Sequence, residues 1–294
     1  MKRLLALFCL ATLAMGADQP VASHEQANPL YDALRKTGVK VTFKDHIPLP
    51  APTMADGLDG PAQTAVVKKV IGDDYSYDEF VRESIVSPMV LKIRDLQPSD
   101  PKSPARGVDL YFIAFGNFDK LTDRQYTDQL LSASREGGTA RSLSADELTK
   151  RGIDAKAIRE GQEGYGHASF TFLDKVDLSL TGRSYWTRAH DSVLTASAID
   201  PRFRDDRDFP NQWRPLMREG DKTKTGPPQP YDEAAQYVKL TRLFEPKGSV
   251  FVEYHVIFAE PVDWFGGANF LRSKFPPAAQ KIVRDMRREF LKTK

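Results

Sequence analysis

Apolar and polar residues change their spacing along the chain, and each change marks a different kind of element. In the first third the apolar positions come in short helical groups. Asn28 before Pro29, with Gly38 at the far end, predicts a helix over 29–37; Pro61 opens another through Ile71, and Tyr77–Glu83 predicts a third. Between them, residues 44–61 carry Pro48, Pro50, Pro52 and Pro61 and the turns Asp56-Gly57 and Asp59-Gly60, the make-up of a loop laid over something else. From Met89 the period shortens to two. Met89, Leu91 and Ile93 alternate with Val90, Lys92 and Arg94, and Val108–Phe115 follows as a second strand. Thr122 with Gln125, and Ser144 with Glu147, match capping boxes and predict helices over 123–135 and 145–151. Residues 168–199 read as consecutive long strands, with a turn at Ala189–Ser192. Tyr237–Phe244 and Ser249–Ala259 form a last hairpin around Glu245-Pro246-Lys247-Gly248. The chain closes with a helix opened by Pro276-Pro277, with Ile282, Val283, Met286, Phe290 and Leu291 on one face.

Short helices, then antiparallel strands, then one amphipathic helix define an α+β fold: a curved antiparallel β-meander covered by the long C-terminal helix, with short helices N-terminal and inserted. One domain is expected over 29–294, preceded by a flexible polar segment at 17–28. Its insertion at 200–231, with Pro201, Pro210, Pro215, Pro227, Pro228 and Pro230, is expected to be irregular. The order of elements resembles the helix-grip fold of START-like domains, of the polyketide cyclase and lipid-transfer type. That resemblance is carried by Phe251–Phe258 running through Ala259-Glu260-Pro261 to the final helix. It implies a container between sheet and helix, and it transfers no functional residue. More broadly the chain is similar to a family of exported bacterial proteins, which implies no particular activity.

Composition changes this picture in one respect. Lys2 and Arg3, the apolar run Leu4–Met15, and Ala14 and Gly16 have the form of a cleaved export leader over 1–16. Of 42 basic and 40 acidic residues, Lys2 and Arg3 fall in that leader, so the remainder balances at 40 to 40 and no global basic charge recommends nucleic acid. The single cysteine, Cys9, lies there too. The mature chain would hold no disulfide, no thiolate metal site and no cysteine nucleophile. The expected location is periplasmic or extracellular, without a stable membrane span after leader cleavage.

Candidate chemistry is sparse. Glu253 and His255 stand two apart on the last strand and share a sheet face with Phe251 and Ile257. Such a pair can act as acid and base, with Arg242 as an anion clamp; the same residues also fit a solvated face or ion pairing with Arg242. Trp264 and Phe265, before Gly266-Gly267, fit either a pocket mouth or a plug at the end of the core. His190-Asp191 reads as a turn. Residues 272–294 carry eight basic side chains against Asp285 and Glu289, fitting an anionic surface or a solvated helix face. No phosphate loop, nucleophile elbow or zinc-protease motif occurs, the five histidines show no ligand-like spacing, and neither metal nor cofactor is expected.

Three functions follow as expectations. The first is a binder of an apolar or amphipathic small molecule between sheet and C-terminal helix, with Tyr111, Trp186, Tyr237, Trp264 and Phe265 as lining aromatics. The second is a hydrolase or lyase using Glu253, His255 and Arg242. The third is an envelope interaction or structural protein docking through the 200–231 loop and the basic helix.

Overall fold

A computed structural model describes residues 20–42, 44–97, 104–132, 138–220, 222–265 and 270–294. Residues 1–19, with the leader expected over 1–16, and the Gly266-Gly267 pair lie outside the described residues. In chain order the elements are α1 (His24–Ala27), α2 (Pro29–Lys36), β1 (Val39–Lys40), β2 (His46–Ile47), α3 (Gly60–Ile71), α4 (Tyr77–Phe80), β3 (Met89–Leu96) and β4 (Ala105–Phe115). Then come α5 (Phe118–Leu121), α6 (Arg124–Ser132), β5 (Thr139–Ser142), α7 (Ala145–Thr149), β6 (Glu163–Phe172), β7 (Val176–Arg188) and β8 (Ser192–Ile199). The last are β9 (Gln212–Glu219), β10 (Lys222–Thr225), β11 (Gln229–Pro230), β12 (Ala234–Arg242), β13 (Ser249–Ala259), α8 (Val262–Phe265) and α9 (Phe270–Leu291).

All pairings in the large open sheet are antiparallel, along the path β10-β9-β7-β8-β12-β13-β4-β3, with β6 and β5 on the other side of β7. The C-terminal hairpin β12–β13 therefore sits at the centre, between β8 and β4, an adjacency that periodicity does not reveal. Alternation gives the central strands two buried faces. The inner face, with Val250, Val252, Tyr254, Val256 and Phe258 of β13, packs on Leu271, Phe275, Ile282, Val283, Met286 and Phe290 of α9. The opposite face, with Phe251 and Ile257, packs on the N-terminal helices and on the proline-rich strap of residues 44–61, through Leu49 and Met54. The strap is the loop laid over the sheet that its composition predicted.

Local chemistry explains most boundaries and corrects several. Asn28 caps α2 by accepting from the Tyr31 N–H, and Gly38 adopts φ +98° where a Cβ would meet the Ile47 carbonyl carbon at 2.6 Å. Ser144 and Glu147 form the expected capping box of α7. For α6 the cap is Asp123, which accepts from Gln125 N–H at 2.8 Å, whereas Thr122 ends α5 and donates to Asp119 O. The segment before α2 is packed where it is described: His24 and Asn28 are buried in it. The insertion at 200–231 is also more regular than its prolines imply. It holds β9–β11, because β9 pairs with β7 over only four residues and Pro215 lies at the last of them, opposite Val176. Helix α9 starts at Phe270, and Pro276 and Pro277 lie inside it; its buried face, from Leu271 to Phe290, sustains the helix across them.

Five of the eight basic side chains between 272 and 294 are held in ion pairs. Arg272 pairs with Asp95, Lys281 and Arg288 with Asp285, Lys292 with Glu289, and Lys294 with Glu83. Arg287 is buried and donates to the carbonyls of Ile113, Ser87 and Pro88, fastening α9 to the start of β3. Among the described residues no helix is long and apolar enough to cross a membrane.

Candidate functional site

Strand register brings the predicted pair together and supplies partners that the sequence did not name. Across β12, β13 and β4, Lys239 stands beside Glu253 and Glu253 beside Tyr111; one step along, Tyr237 stands beside His255 and His255 beside Asp109. Directly opposed side chains on one face are in contact. His255 Nδ1 lies 2.7 Å from Asp109 Oδ1, its Nε2 lies 3.5 Å from Glu253 Oε2, and Asp109 also accepts from Arg94 at 2.8 Å. Tyr237 and Tyr111 flank the imidazole, with ring centroids 4.7 and 5.5 Å away.

The strap closes over this cluster. Thr53 and Met54 donate their backbone N–H groups to the two oxygens of Glu253, at 2.7 and 3.2 Å. Lys239 donates to Met54 O at 2.6 Å and pairs with Asp56 at 2.8 Å. A carboxylate and an ammonium on neighbouring strands thus hold the backbone N–H and the backbone C=O of the same strap residue, Met54. Glu253 and His255 are both 0% exposed, so the pair acts on the strap and offers no open face to a substrate. Arg242 is not with them. Its side chain emerges on the far side of β12, 3.5 Å from Asp119 and over the Phe118 ring, so the cation facing Glu253 is Lys239. The alternation Tyr237, Lys239, Thr241 was the available signal for it, as Asp109, Tyr111, Ile113 was for Asp109.

A second chain of bonds extends the cluster and fixes a tautomer. Ser192 donates to Asp56 at 2.5 Å, which uses its only proton. The 2.8 Å contact between His24 Nε2 and Ser192 Oγ is therefore donated by His24, and Nδ1 accepts from Thr187 at 2.8 Å. A neutral imidazole satisfies every bond. Burial holds the His24 pKa down to about 4, with Lys239 adding to the effect of burial against the opposing pull of Asp56. His255 goes the other way: burial would lower its pKa, but the carboxylates of Asp109 and Glu253 outweigh burial and hold it above the ordinary value. Asp109 and Asp56 are held below the usual carboxylate range, because His255 and Arg94 in one case, and Lys239 and Ser192 in the other, outweigh burial.

The predicted aromatics divide between the two faces. Tyr111 and Tyr237 belong to the strap cluster and do not line the space between sheet and helix. Trp264 and Phe265 plug the end of the core, where Trp264 packs with Tyr231, Phe172 and Trp213 at 5.1, 5.7 and 6.1 Å. Trp186 lies mid-sheet on the inner face, directly across from Thr195, with Ser197 two residues further along that strand. Beside Ser197 stands Gln236, which accepts from the Tyr254 hydroxyl at 2.6 Å. Trp186, Thr195 and Ser197 are 1, 5 and 3% exposed, and their indole N–H and two hydroxyls have no hydrogen-bond partner.

The molecule is an open antiparallel sheet gripped by a C-terminal helix, with polar side chains at the middle of the gripped face. No protein-family model matches the chain, and no curated protein matches its sequence. Among solved structures it is similar to the lipid transfer and protein localization domain of human StarD13, with a TM-score of 0.40 and 7% identity over 68% of this chain and 89% of that one. It is also similar to an uncharacterized protein from Rhizobium leguminosarum (TM-score 0.31, 8% identity, 69% and 98% covered). A third similarity is to CalU16 from Micromonospora echinospora (TM-score 0.24, 9% identity, 70% and 98% covered). With TM-scores below 0.5 these likenesses carry no functional argument, and the site has to be read from its own residues. Among the described residues no group of three or more His, Cys, Asp or Glu side chains is placed to hold a metal ion.

Proposed function

We propose that this protein binds an amphipathic small molecule between the inner sheet face and α9. The observation that supports it is the contiguous trio Trp186 Nε1, Thr195 Oγ1 and Ser197 Oγ, buried without partners in a largely apolar layer whose neighbouring polar pair, Gln236 and Tyr254, bond each other. Leaving one such group unpaired costs about 1–3 kcal/mol, so three together would take a large share of the roughly 5–15 kcal/mol that stabilises a domain. Three adjacent exceptions are better explained by a ligand than by chance. One indole donor and two hydroxyls suit a group rich in acceptor oxygens, a carboxylate or carbonyl, with the apolar remainder of the ligand against α9. The leader over 1–16 adds that binding takes place outside the cytoplasm, and the exported protein is expected to lack Met1–Gly16 by intact mass.

Native mass spectrometry of the purified protein, before and after addition of oleate, tests the binding reading. The expected result is a co-purifying or added ligand at one per chain, with affinity reduced at least tenfold in Trp186→Phe combined with Thr195→Val. A protein that stays ligand-free in micromolar oleate, or a double variant that binds equally well, would overturn it.

A further inference from the structure

The outer face of the far end of the sheet carries a hydroxyl–imidazole arrangement that neither the strap cluster nor the inner face uses. Rows of side chains cross β5, β6, β7 and β9 in register: Thr139, Ser169, Ser179 and Gln212 in one, with Arg141, His167 and Thr181 in the next. Thr181 donates its only hydroxyl proton to Phe209 O at 2.7 Å. The 2.7 Å contact between His167 Nδ1 and Thr181 Oγ1 must therefore be donated by the imidazole. That leaves the lone pair of a neutral His167 on Nε2, which lies 3.3 Å from both Ser179 Oγ and Ser169 Oγ. Phe209 packs on the ring at 5.5 Å, and Thr181 is fully buried, so the base is held from behind. On the far side of the two serines from the imidazole lies a trough of about 420 Å³, lined by Ser169, Ser179, Gln212 and Arg214, with Asp177 beside Arg214 and taking a hydrogen bond from Thr171.

We propose that Ser179 and His167 form a nucleophile–base pair that cleaves small carboxylic esters in this trough. Ser179 is assigned the attack because its neighbour on the other side is Gln212, whose amide, with the Arg214 guanidinium, brings donors for an oxyanion to the same wall. The Ser179 proton passes to His167 Nε2 as Oγ bonds to the acyl carbon. The carbon–oxygen bond to the leaving group then breaks, and the departing oxygen keeps the electron pair and takes the proton from Nε2. Water repeats the sequence against the acyl-serine, releasing the acid and restoring both side chains. Burial, with Arg141 nearby, holds His167 below its ordinary pKa, so that it is an unprotonated base near neutral pH.

The test uses the intact protein and a fluorophosphonate, which transfers a phosphonyl group to an activated serine with loss of fluoride. The expected result is one adduct per chain, mapped by peptide mass spectrometry to Ser179. His167→Gln is expected to slow labelling at least tenfold at unchanged melting temperature, and hydrolysis of p-nitrophenyl acetate is expected to fall in parallel. Absence of an adduct, an adduct on any other residue including Ser169, or a slowing below tenfold in the folded variant would overturn the proposal. The wild-type adduct map decides even if a variant does not fold. The inner-face ligand plays no part in this outcome.

Discussion

The two faces of the central sheet bury polar chemistry in opposite ways. Under the strap, Glu253, His255, Asp109, Lys239, Asp56 and His24 are ionisable, and each has a partner at hydrogen-bonding distance. Over the inner face the central polar groups are neutral, and Trp186, Thr195 and Ser197 have none. Paired charges make a stiff, closed layer, because losing one partner strands the other in a low-dielectric interior. Unpaired hydroxyls and an indole N–H cost less to bury and remain available to something else. The contrast teaches that the conspicuous Glu–His pair marks the closed face, and that the less conspicuous Trp186, Thr195 and Ser197 mark the face on which the proposed binding rests.

The largest test of that contrast is Glu253→Ala. It leaves two strap N–H groups without their acceptor and removes the carboxylate 3.5 Å from His255 Nε2, and a loss of about 3–5 kcal/mol is expected in urea unfolding. A loss below 1 kcal/mol would mean that the strap is not held by charge. Next is Arg287→Ala, which uncaps the carbonyls of Ile113, Ile85, Ser87 and Pro88 where α9 meets the sheet and is expected to cost about 3 kcal/mol. Arg287→Lys should recover less than half of that, because an ammonium cannot span the same fork.

The pH dependence separates the two buried histidines. His24 has a folded pKa near 4 against 6.5 unfolded, so between those values the unfolded chain binds more protons and stability falls as pH falls. The stability advantage of wild type over His24→Gln should therefore shrink by about 3 kcal/mol from pH 7 to pH 4, and a constant gap would contradict the neutral tautomer. His255, raised above 6.5, has the opposite sign: its contribution is full below pH 6.5 and is lost as pH rises through its folded value. The smallest effects belong to the inner face. Thr195→Val and Ser197→Ala, in protein stripped of ligand, should be neutral or stabilising by up to about 1 kcal/mol, because each removes a buried group that had no partner. Thr187→Val, which removes the donor to His24, should cost about 1 kcal/mol. Equal losses from the Thr187 and Thr195 variants would erase the distinction between the faces.

Short-range physics made much of this molecule readable in one dimension. Period-two alternation located β3, β4, β7, β8, β12 and β13, and it placed Glu253 and His255 on one face. Asn28, Pro29 and Gly38 bounded α2, proline spacing announced the strap, and the apolar stripe of α9 announced a helix that covers a sheet. Each of these depends on neighbours a few residues apart, whose geometry the backbone itself dictates. Tertiary structure alone decided which residues meet. The position of β12–β13 between β8 and β4 put Lys239 in front of Glu253 and sent Arg242 to the other side. The strap, some 200 residues earlier in the chain, supplied the N–H groups that close the Glu253 site. Whether a buried side chain finds a partner depends on such long-range register, and so the paired charges beneath the strap and the unpartnered hydroxyls on the inner face of β8 became distinguishable only once the chain was folded.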